Sequence, residues 1–300
     1  MTEQLVLGSF MEEELLSQPQ MWRRAVAQQK SENLLPAKGA KVAVVGCGTS
    51  WFMAESYACA REAAGFGLTD AFAASEARIL SRDYDAVIAI TRSGTTSEVL
   101  QLLEELNEKI PTVAIIGDVS SPIVDKVDAV VELPYADERS VVQTRFATTA
   151  LAYLLSSVGH DLEEAAVQAE ELVNSATPSE LVDAEQFTFL GRGYTVGMAH
   201  EAALKMREAV QGWTEAYPAM DYRHGPISIA APHRVTWMFG EEPEGLSADV
   251  EQTGAIYINA QRHPLADLTL VHRVTLDRAR ARGMDPDHPR NLTRSVILEG

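Results

Sequence analysis

A strand-to-helix segment occurs twice in this sequence, and the repeat limits the fold more than any other feature. The first copy, VAVVGCGTSWFMAESYACAREAA, ends its strand with Gly46 and Gly48. The second copy, FTFLGRGYTVGMAHEAALKMREA, ends its strand with Gly191 and Gly193. Both glycine pairs keep an offset of 145 residues, and four identities share it: Met53 and Met198, Ala54 and Ala199, Ala58 and Ala203, and Ala64 and Ala209. The offset predicts two copies of one strand–helix unit.

Apolar runs typical of strands alternate with helical patterns along the chain. The predicted strands are 41–46, 85–90, 112–117, 129–133 and 187–190, and clear helical patterns lie at 96–106 and 143–158. This alternation predicts an α/β fold with parallel sheets flanked by helices. The acidic stretch 160–182 predicts a connecting helix and a loop.

Composition sets the class of protein. Of 300 residues, 46% are apolar and 23% charged, which is typical of a globular chain with enough apolar mass for two domains. No apolar run approaches the ~20 residues that span a bilayer, and the acidic start lacks the basic flank of a signal peptide. Cys47 and Cys59 form no CxxC pair, and the histidines follow no metal-binding spacing. We therefore expect a cytoplasmic protein without a metal site.

The formal net charge of −18 limits the partners. A surface this acidic repels nucleic acids and anionic membranes, so we expect neither as a partner. A phosphate ligand would have to be held by local dipoles and a few well-placed donors.

Each copy of the repeat begins like a dinucleotide fingerprint but does not complete it. Trp51 stands where the third glycine of GxGxxG belongs in the first copy, and Val196 stands there in the second. A dinucleotide site is therefore disfavoured.

The stretch AITRSGTTSEVL at 89–100 places hydroxyl side chains where a strand ends and a helix begins. Unpaired N–H groups at a helix N-terminus stabilise an anion, and small hydroxyl residues add donors without bulk. Plain helix capping is the alternative, but capping needs one hydroxyl, and five lie here: Thr91, Ser93, Thr95, Thr96 and Ser97. The pattern favours a monophosphate site, and GCGTS at 46–50 offers a second helix N-terminus.

The corresponding stretch of the second copy differs in charge. We match it to VTWMFGEEPEGLSADV at 235–250, whose loop carries Glu241, Glu242 and Glu244. An anion is therefore expected at the first loop and repelled from the second.

Two further segments carry candidate acid–base groups. In EAALKMRE, the i, i+4, i+7 spacing of Glu201, Lys205 and Glu208 predicts one shared helix face. A solvated charged stripe is the alternative, although small apolar residues on the same helix indicate packing. His224 lies in DYRHGPIS, whose aromatic, proline and glycine residues predict a shaped loop, although a lone histidine is more often structural.

These segments together resemble a known family. The resemblance is to a pair of SIS (sugar isomerase) domains, and the pattern is similar to the isomerase half of glucosamine-6-phosphate synthase and to standalone amino-sugar-phosphate isomerases and deaminases. It covers nearly the whole chain, without the glutaminase half of the synthase. The segments that carry it are MEEELLSQP, GCGTS, SGTTSE, EAALKMRE, EAYPAMDYRHGP and DHPRNLTRSVILEG.

The resemblance implies a domain plan with two tandem SIS domains, each a parallel sheet flanked by helices. Its five parts are an N-terminal helical arm at 1–34, a first SIS domain with the phosphate-binding loop at 35–160, a connecting helix and linker at 161–182, a shortened second SIS domain at 183–282, and a C-terminal tail at 283–300 that returns to the active site.

The resemblance also implies which residues bind the sugar phosphate. They are Gly48, Thr49, Ser50, Thr91, Arg92, Ser93, Thr96, Val141 and Gln143. Arg92 stands where the synthase has an uncharged amide residue, so its guanidinium either strengthens anion binding or points to solvent. Gln143 and Arg145 replace a serine and a lysine of the synthase, in a stretch closer to the deaminase-type relatives.

Four residues are implied in catalysis. Glu208 matches the base that moves a proton through an enediol, and Lys205 matches a neighbouring functional lysine. His224 matches the ring-opening histidine, on a loop that reaches the active site of the neighbouring subunit and so implies a homodimer. Arg294 replaces a lysine that forms an imine. Its guanidinium stays protonated and is expected to donate hydrogen bonds instead.

The expected function is aldose–ketose isomerisation of a sugar phosphate, with an amino-sugar 6-phosphate as the substrate and with or without loss of the amine. No metal or organic cofactor is expected. One alternative is a deglycase that acts on a phosphorylated fructosamine. Another is a non-catalytic sugar-phosphate-sensing module, and the lack of a helix-turn-helix or basic segment disfavours a transcriptional sensor.

Overall fold

A computed structural model describes residues 6–106 and 109–298. The predicted α/β fold is confirmed, because parallel sheets alternate along the chain with flanking helices. The strands are β1 (Val42–Gly46), β2 (Thr69–Ala73), β3 (Ala86–Thr91), β4 (Thr112–Ile116), β5 (Ala129–Glu132), β6 (Gln186–Gly191), β7 (Thr214–Pro218), β8 (Arg234–Met238) and β9 (Ile256–Ile258). The helices are α1 (Ser9–Ser31), α2 (Thr49–Ala63), α3 (Ser97–Leu106), α4 (Arg145–Ser157), α5 (Glu163–Leu172), α6 (Ser179–Asp183), α7 (Thr195–Val210), α8 (Leu246–Glu251) and α9 (Pro264–Ala281).

The chain divides into two compact units, each assembled from separate stretches. The five-stranded unit contains Gln20–Glu138, Arg145–Leu162 and Thr293–Gly300, and the four-stranded unit contains Met1–Pro19, Arg139–Thr144 and Glu163–Leu292. The arm helix α1 contributes to both units, and the last residues of the chain belong to the five-stranded unit. None of the helices in the described part of the chain is long and apolar enough to cross a membrane.

The five-stranded unit has a parallel sheet with the order β2-β1-β3-β4-β5. Strands β1, β3 and β4 are buried along their whole length, as expected for strands covered on both faces. Because β1 pairs with β2 on one side and β3 on the other, the strand order reverses beside β1. Loops at such a reversal leave a crevice at the carboxyl ends of the strands.

The four-stranded unit repeats this plan with the order β7-β6-β8-β9. Gly46 ends β1 and Gly191 ends β6, and a side chain at either position would meet the backbone of the helix that follows. A Cβ on Gly46 would lie 2.6 Å from the carbonyl carbon of Ser50, and a Cβ on Gly191 would lie 2.3 Å from the carbonyl oxygen of Thr195. Only glycine lets the next helix start so close to the strand. The predicted repeat of a strand–helix unit is therefore confirmed.

Some elements were not predicted from the sequence. The edge strands β2, β7 and β9 are short and half-buried, so they lack the continuous apolar runs that identified the central strands. The stretch 160–182 contains the predicted helix, α5, and a loop, and it also contains the start of α6, which was not predicted.

Candidate functional site

The helix that follows the hydroxyl-rich stretch is held firmly by the sheet. Val99, Leu102, Leu103 and Leu106 of α3 are buried in the core cluster that also contains residues of β1, β3 and β4. This apolar face fixes the N-terminus of α3 at the carboxyl end of β3. The free N–H groups and positive dipole end of the helix are thereby placed at the sheet edge.

We call residues 91–97 the hydroxyl loop. Thr91 Oγ1 accepts a hydrogen bond from the Gly94 amide at 3.3 Å, and Ser93 Oγ accepts from the Thr95 amide at 3.3 Å and from the Thr95 hydroxyl at 3.0 Å. Gly94 has a φ of +61°, and a Cβ there would lie 2.0 Å from Ser121 Oγ. The turn therefore requires glycine, and the hydroxyl groups fix its shape.

The GCGTS segment lies at the same edge of the sheet. β1 and β3 pair in parallel with Val45 opposite Ala89, so the loops that follow both strands are neighbours. Gly48 has a φ of +53° and precedes α2, whose first residues Thr49 and Ser50 are buried. The N-termini of α2 and α3 thus follow adjacent strands at the point where the strand order reverses.

The side chain of Arg92 is buried inside this region, with 3% of its surface exposed. One guanidinium nitrogen donates to the carbonyl of Arg294 at 2.7 Å, and another lies 3.9 Å from a carboxylate oxygen of Glu138. The interpretation that Arg92 points to solvent is therefore wrong.

Residues 295–298 near the end of the chain contact the hydroxyl loop. The Ser295 hydroxyl accepts from Ser93 Oγ at 3.1 Å, and its oxygen lies 2.9 Å from Thr95 Oγ1. The Val296 carbonyl accepts from the Ser97 amide at 3.2 Å, and the Leu298 amide donates to Ser97 Oγ at 2.9 Å. The tail residues 293–298 therefore occupy donors of the loop and of the first turn of α3.

Arg294 contacts a carboxylate within the same unit. Its Nη2 lies 2.6 Å from Asp137 Oδ2, and it also contacts Oδ1. The pKa of Asp118 is below its usual value, chiefly because it accepts hydrogen bonds from Ser120, and the charge of Arg294 also lowers it. In this structure Arg294 thus anchors the tail through Asp137.

The acidic and basic residues of α7 are concentrated inside the four-stranded unit. The side chains of Glu201 and Lys205 are fully buried, and that of Glu208 is 20% exposed. Lys205 Nζ lies 2.5 Å from Glu208 Oε2 and 3.6 Å from Glu201 Oε1. The predicted shared face is confirmed, and the alternative of a solvated stripe is wrong.

Comparison with known proteins identifies the family that part of this chain matches. The model of the SIS domain matches residues 34–157, which contain both GCGTS and the hydroxyl loop. Residues 34–157 therefore match the SIS domain family. The match to that family predicted from the sequence is therefore confirmed, and the SIS domain contributes β1 to β5 and helices α2, α3 and α4.

Relatives and solved structures match beyond the SIS domain. A glutamine–fructose-6-phosphate aminotransferase [isomerizing] from Sulfurisphaera tokodaii is 25% identical over 295 residues, which cover 86% of this chain and 50% of that protein. The chain spans about half the length of the curated relatives it matches.

Two solved structures share the fold. Glucosamine-6-phosphate deaminase from Thermotoga maritima matches with a TM-score of 0.81 at 22% identity, over 97% of this chain and 100% of that one. Tagatose-6-phosphate ketose/aldose isomerase from Escherichia coli matches with a TM-score of 0.79 at 18% identity, over 97% and 96% of the two chains.

Within the SIS domain, one group of predicted residues is brought to the edge where β1 and β3 end. This group is Gly48, Thr49, Ser50, Thr91, Arg92, Ser93 and Thr96. Val141 and Gln143 belong to the four-stranded unit, where the Val141 amide donates to the Asp287 carbonyl at 3.3 Å. Their assignment to phosphate binding stays a prediction.

His224 lies at the surface of the four-stranded unit, in a turn held on both sides. The buried Tyr222 places its hydroxyl 3.1 Å from Thr236 Oγ1, and Arg223 pairs with Asp249 at 2.7 Å. His224 itself is exposed, and its amide donates to the Asp221 carbonyl at 2.9 Å. The turn presents the imidazole from a fixed backbone.

The loop after β8 differs from the hydroxyl loop of the SIS domain as predicted. Glu242 accepts a hydrogen bond from the Tyr257 hydroxyl at 2.5 Å and one from Ser247 at 3.3 Å. Hydroxyl groups of β9 and α8 are thus directed at a carboxylate of this loop, and the negative charge disfavours an anion there.

Sequence reasoning missed two residues that shape the region around the hydroxyl loop. Ser295 was not predicted as a site residue, although it directly follows Arg294. Its hydroxyl group could have indicated a contact with the hydroxyl loop. Asp137 lies in a segment without a motif, so nothing in the sequence linked it to a residue 157 positions later.

We expect Asp137→Asn to loosen the tail without unfolding the SIS domain. Partly exposed ion pairs contribute about 0.2–1 kcal/mol, so amide hydrogen exchange at Leu298 should accelerate by roughly 1.5- to 5-fold. Asp83→Asn is the matched control, because Asp83 forms an exposed ion pair with Lys41 in the same unit. Equal exchange in both variants would contradict an anchoring role for Asp137.

Proposed function

We propose that this chain is a phosphosugar isomerase whose SIS domain holds the phosphate of the sugar at the hydroxyl loop. The observation that carries this proposal is the hydroxyl loop itself, with its side-chain donors at the fixed N-terminus of α3. This arrangement favours a monophosphate, because dipole and donors converge on a small site without the lysine of a triphosphate loop. The names of the relatives support it, since each contains a hexose 6-phosphate or hexosamine 6-phosphate.

In the proposed reaction Glu208 moves a proton between adjacent carbons of the open-chain sugar. The carboxylate takes the proton from the carbon beside the carbonyl, which leaves an enediolate, and the hydroxyl proton passes from the neighbouring oxygen to the former carbonyl oxygen. Return of the proton to the neighbouring carbon completes the exchange of aldose and ketose. The Lys205 ammonium, 2.5 Å from Glu208, holds the carboxylate in one orientation.

We also propose roles for the two remaining catalytic candidates. His224 opens the sugar ring by moving a proton between the ring oxygen and the anomeric hydroxyl. Arg294 donates hydrogen bonds to the carbonyl oxygen or the enediolate, which requires that it leave Asp137. Because a guanidinium stays protonated, imine formation with a keto sugar is not part of this mechanism.

The proposed substrate is an amino-sugar 6-phosphate, and loss of the amine is a second proposed step. The decisive experiment incubates the protein with glucosamine, fructose, glucose and tagatose 6-phosphates and with a phosphorylated fructosamine. Aldose/ketose ratio, ammonia and released amine are measured separately. Ketose from an aldose supports the isomerase, ammonia supports deamination, and a free amino acid indicates the deglycase alternative. Tight binding without conversion of any compound would indicate a sensing module and overturn the proposal.

We further propose a homodimer in which the His224 loop serves the neighbouring subunit. Mixing two inactive variants, His224→Ala and Glu208→Gln, should then restore activity. In a mixed dimer one site receives both substitutions and the other receives neither. Random pairing gives about half mixed dimers, so roughly a quarter of the wild-type activity should return, for independent sites and free exchange.

Differently tagged subunits provide the control for this mixing experiment. Co-purification of the two tags must show that mixed dimers have formed before activity is compared. Tagged mixed dimers that remain as inactive as either parent would show that His224 acts within its own subunit or packs structurally.

A further inference from the structure

A chain of buried polar side chains lies behind the proposed catalytic pair, and the reaction described above does not use it. The chain runs through the four-stranded unit from α1 to α9 and then to α7. Its members are Gln18, Thr269, His272, Glu201 and Lys205, and the side chain of each is fully buried.

The distances define an order for these side chains. Gln18 Nε2 lies 3.3 Å from His272 Nδ1, and His272 Nε2 lies 4.0 Å from Glu201 Oε1. Glu201 in turn lies 3.6 Å from the Lys205 ammonium, which contacts Glu208 at 2.5 Å. His272 is therefore connected to the proposed base through one carboxylate and one ammonium group.

The hydrogen bonds fix the tautomer of His272. The amide nitrogen of Gln18 lies 3.3 Å from His272 Nδ1 and can only donate, so Nδ1 accepts, whereas the Thr269 hydroxyl donates to the Leu265 carbonyl at 3.2 Å. The ring proton then lies on Nε2, the atom that faces Glu201. Burial lowers the pKa of His272 to about 3, and the charge of Lys205 acts in the same direction. The imidazole is thus neutral at physiological pH.

We propose that His272 is a positioning residue: its Nε2–H faces Glu201 Oε1 across 4.0 Å, which is longer than a hydrogen bond, and the dipole of the neutral ring holds the Glu201–Lys205 pair that orients Glu208. This inference rests on the proposed function, because it gives Glu208 the role of the base. A neutral N–H suits the place, since it stabilises a buried carboxylate without adding a second cation beside Lys205.

A purely structural role predicts a different outcome on substitution. Burying polar groups costs free energy, and apolar residues of similar volume often maintain or raise stability in such places. If His272 only fills space, leucine should replace it without loss of activity. If it positions Glu201, then leucine should leave the fold intact and slow the reaction.

The test compares three variants on α9 with glucosamine 6-phosphate and fructose 6-phosphate as probes. We expect His272→Leu to lower kcat by about 10- to 100-fold while KM stays within about 3-fold, because misplacing a catalytic group affects the chemical step more than phosphate binding. His272→Gln keeps a donor near the position of Nε2 and should retain kcat within about 3-fold. Thr275→Val, a buried change on the same helix, should behave as the wild type.

The outcomes separate this inference from the proposed function. If the wild type turns over the substrate and kcat is unchanged in His272→Leu, the positioning role alone is overturned. The same holds if His272→Gln and His272→Leu both fold and lose kcat to the same extent. Absence of wild-type turnover with every compound of the substrate panel described above overturns the proposed function. Nitrogen-15 NMR spectra of the imidazoles give a readout that does not depend on enzymatic activity. They test the inference even if His272→Leu fails to fold. A neutral ring protonated on Nε2, whose resonance shifts in Glu201→Gln, supports the inference. A ring protonated on Nδ1 or on both nitrogens overturns it.

Discussion

Glu208→Gln is expected to lower kcat by about 10²- to 10⁴-fold and to leave the affinity for a sugar phosphate little changed. The amide has nearly the shape of the carboxylate and can still accept a hydrogen bond from Lys205, which also keeps Glu201 within 3.6 Å. The substitution removes the group that takes the proton and little else. The effect should therefore appear in kcat and not in KM.

Steady-state kinetics in both reaction directions would measure this effect, with exchange of substrate hydrogen for solvent deuterium as an independent reading of proton transfer. Glu251→Gln provides the matched control, because Glu251 is an exposed carboxylate on α8 of the same unit. We expect wild-type rates from that variant. Full activity in Glu208→Gln would mean that the carboxylate has no part in proton transfer.

Gly94→Ala is expected to weaken phosphate binding by at least about 100-fold. The residue has a φ of +61°, and a Cβ there would lie 2.0 Å from Ser121 Oγ and 2.8 Å from a methyl carbon of Ile123. The side chain would therefore force the turn away from Ser121. The hydroxyl groups and the α3 N-terminus would lose their common geometry, and a loss of about 2.7 kcal/mol corresponds to that factor.

Gly65→Ala separates backbone strain from the steric contact. Gly65 has a similar φ of +71°, but a Cβ there meets nothing within 4 Å. Both variants should lose about 1–2 kcal/mol of stability from the left-handed backbone, as measured by urea unfolding. Only Gly94→Ala should lose binding, as measured by calorimetric titration with a sugar phosphate. Equal affinities in the two variants would place the phosphate site elsewhere.

The central strands and the hydroxyl loop could be predicted because their signals are local. Strands β1 and β3 are continuous apolar runs, and the loop after β3 carries its hydroxyl groups within residues 91–97. The i, i+4, i+7 spacing likewise places Glu201, Lys205 and Glu208 on one face, since helix geometry alone decides it. Such features need no knowledge of the rest of the fold.

The remaining features depend on contacts between distant parts of the chain. Gln18 and His272 are 254 residues apart, and nothing in either segment predicts that an amide would fix the tautomer of that imidazole. The buried position of Arg92 follows from a tail 202 residues later, whereas its charge alone suggested solvent or an anion. Hydrophobic periodicity cannot reveal such pairings, because they are set by the packing of whole units.

The tail contact at Ser97 has a thermodynamic consequence. The Val296 carbonyl accepts from the Ser97 amide, so an anion that uses this donor must first displace the carbonyl. Intramolecular competition of this kind multiplies the intrinsic affinity for the anion by the fraction of molecules in which the tail is open. A tail that is open in about one molecule in ten would weaken the apparent affinity roughly tenfold. Substitutions that touch only residues 293–298 would then shift phosphate affinity in the opposite direction to tail stability, although none of them alters the loop.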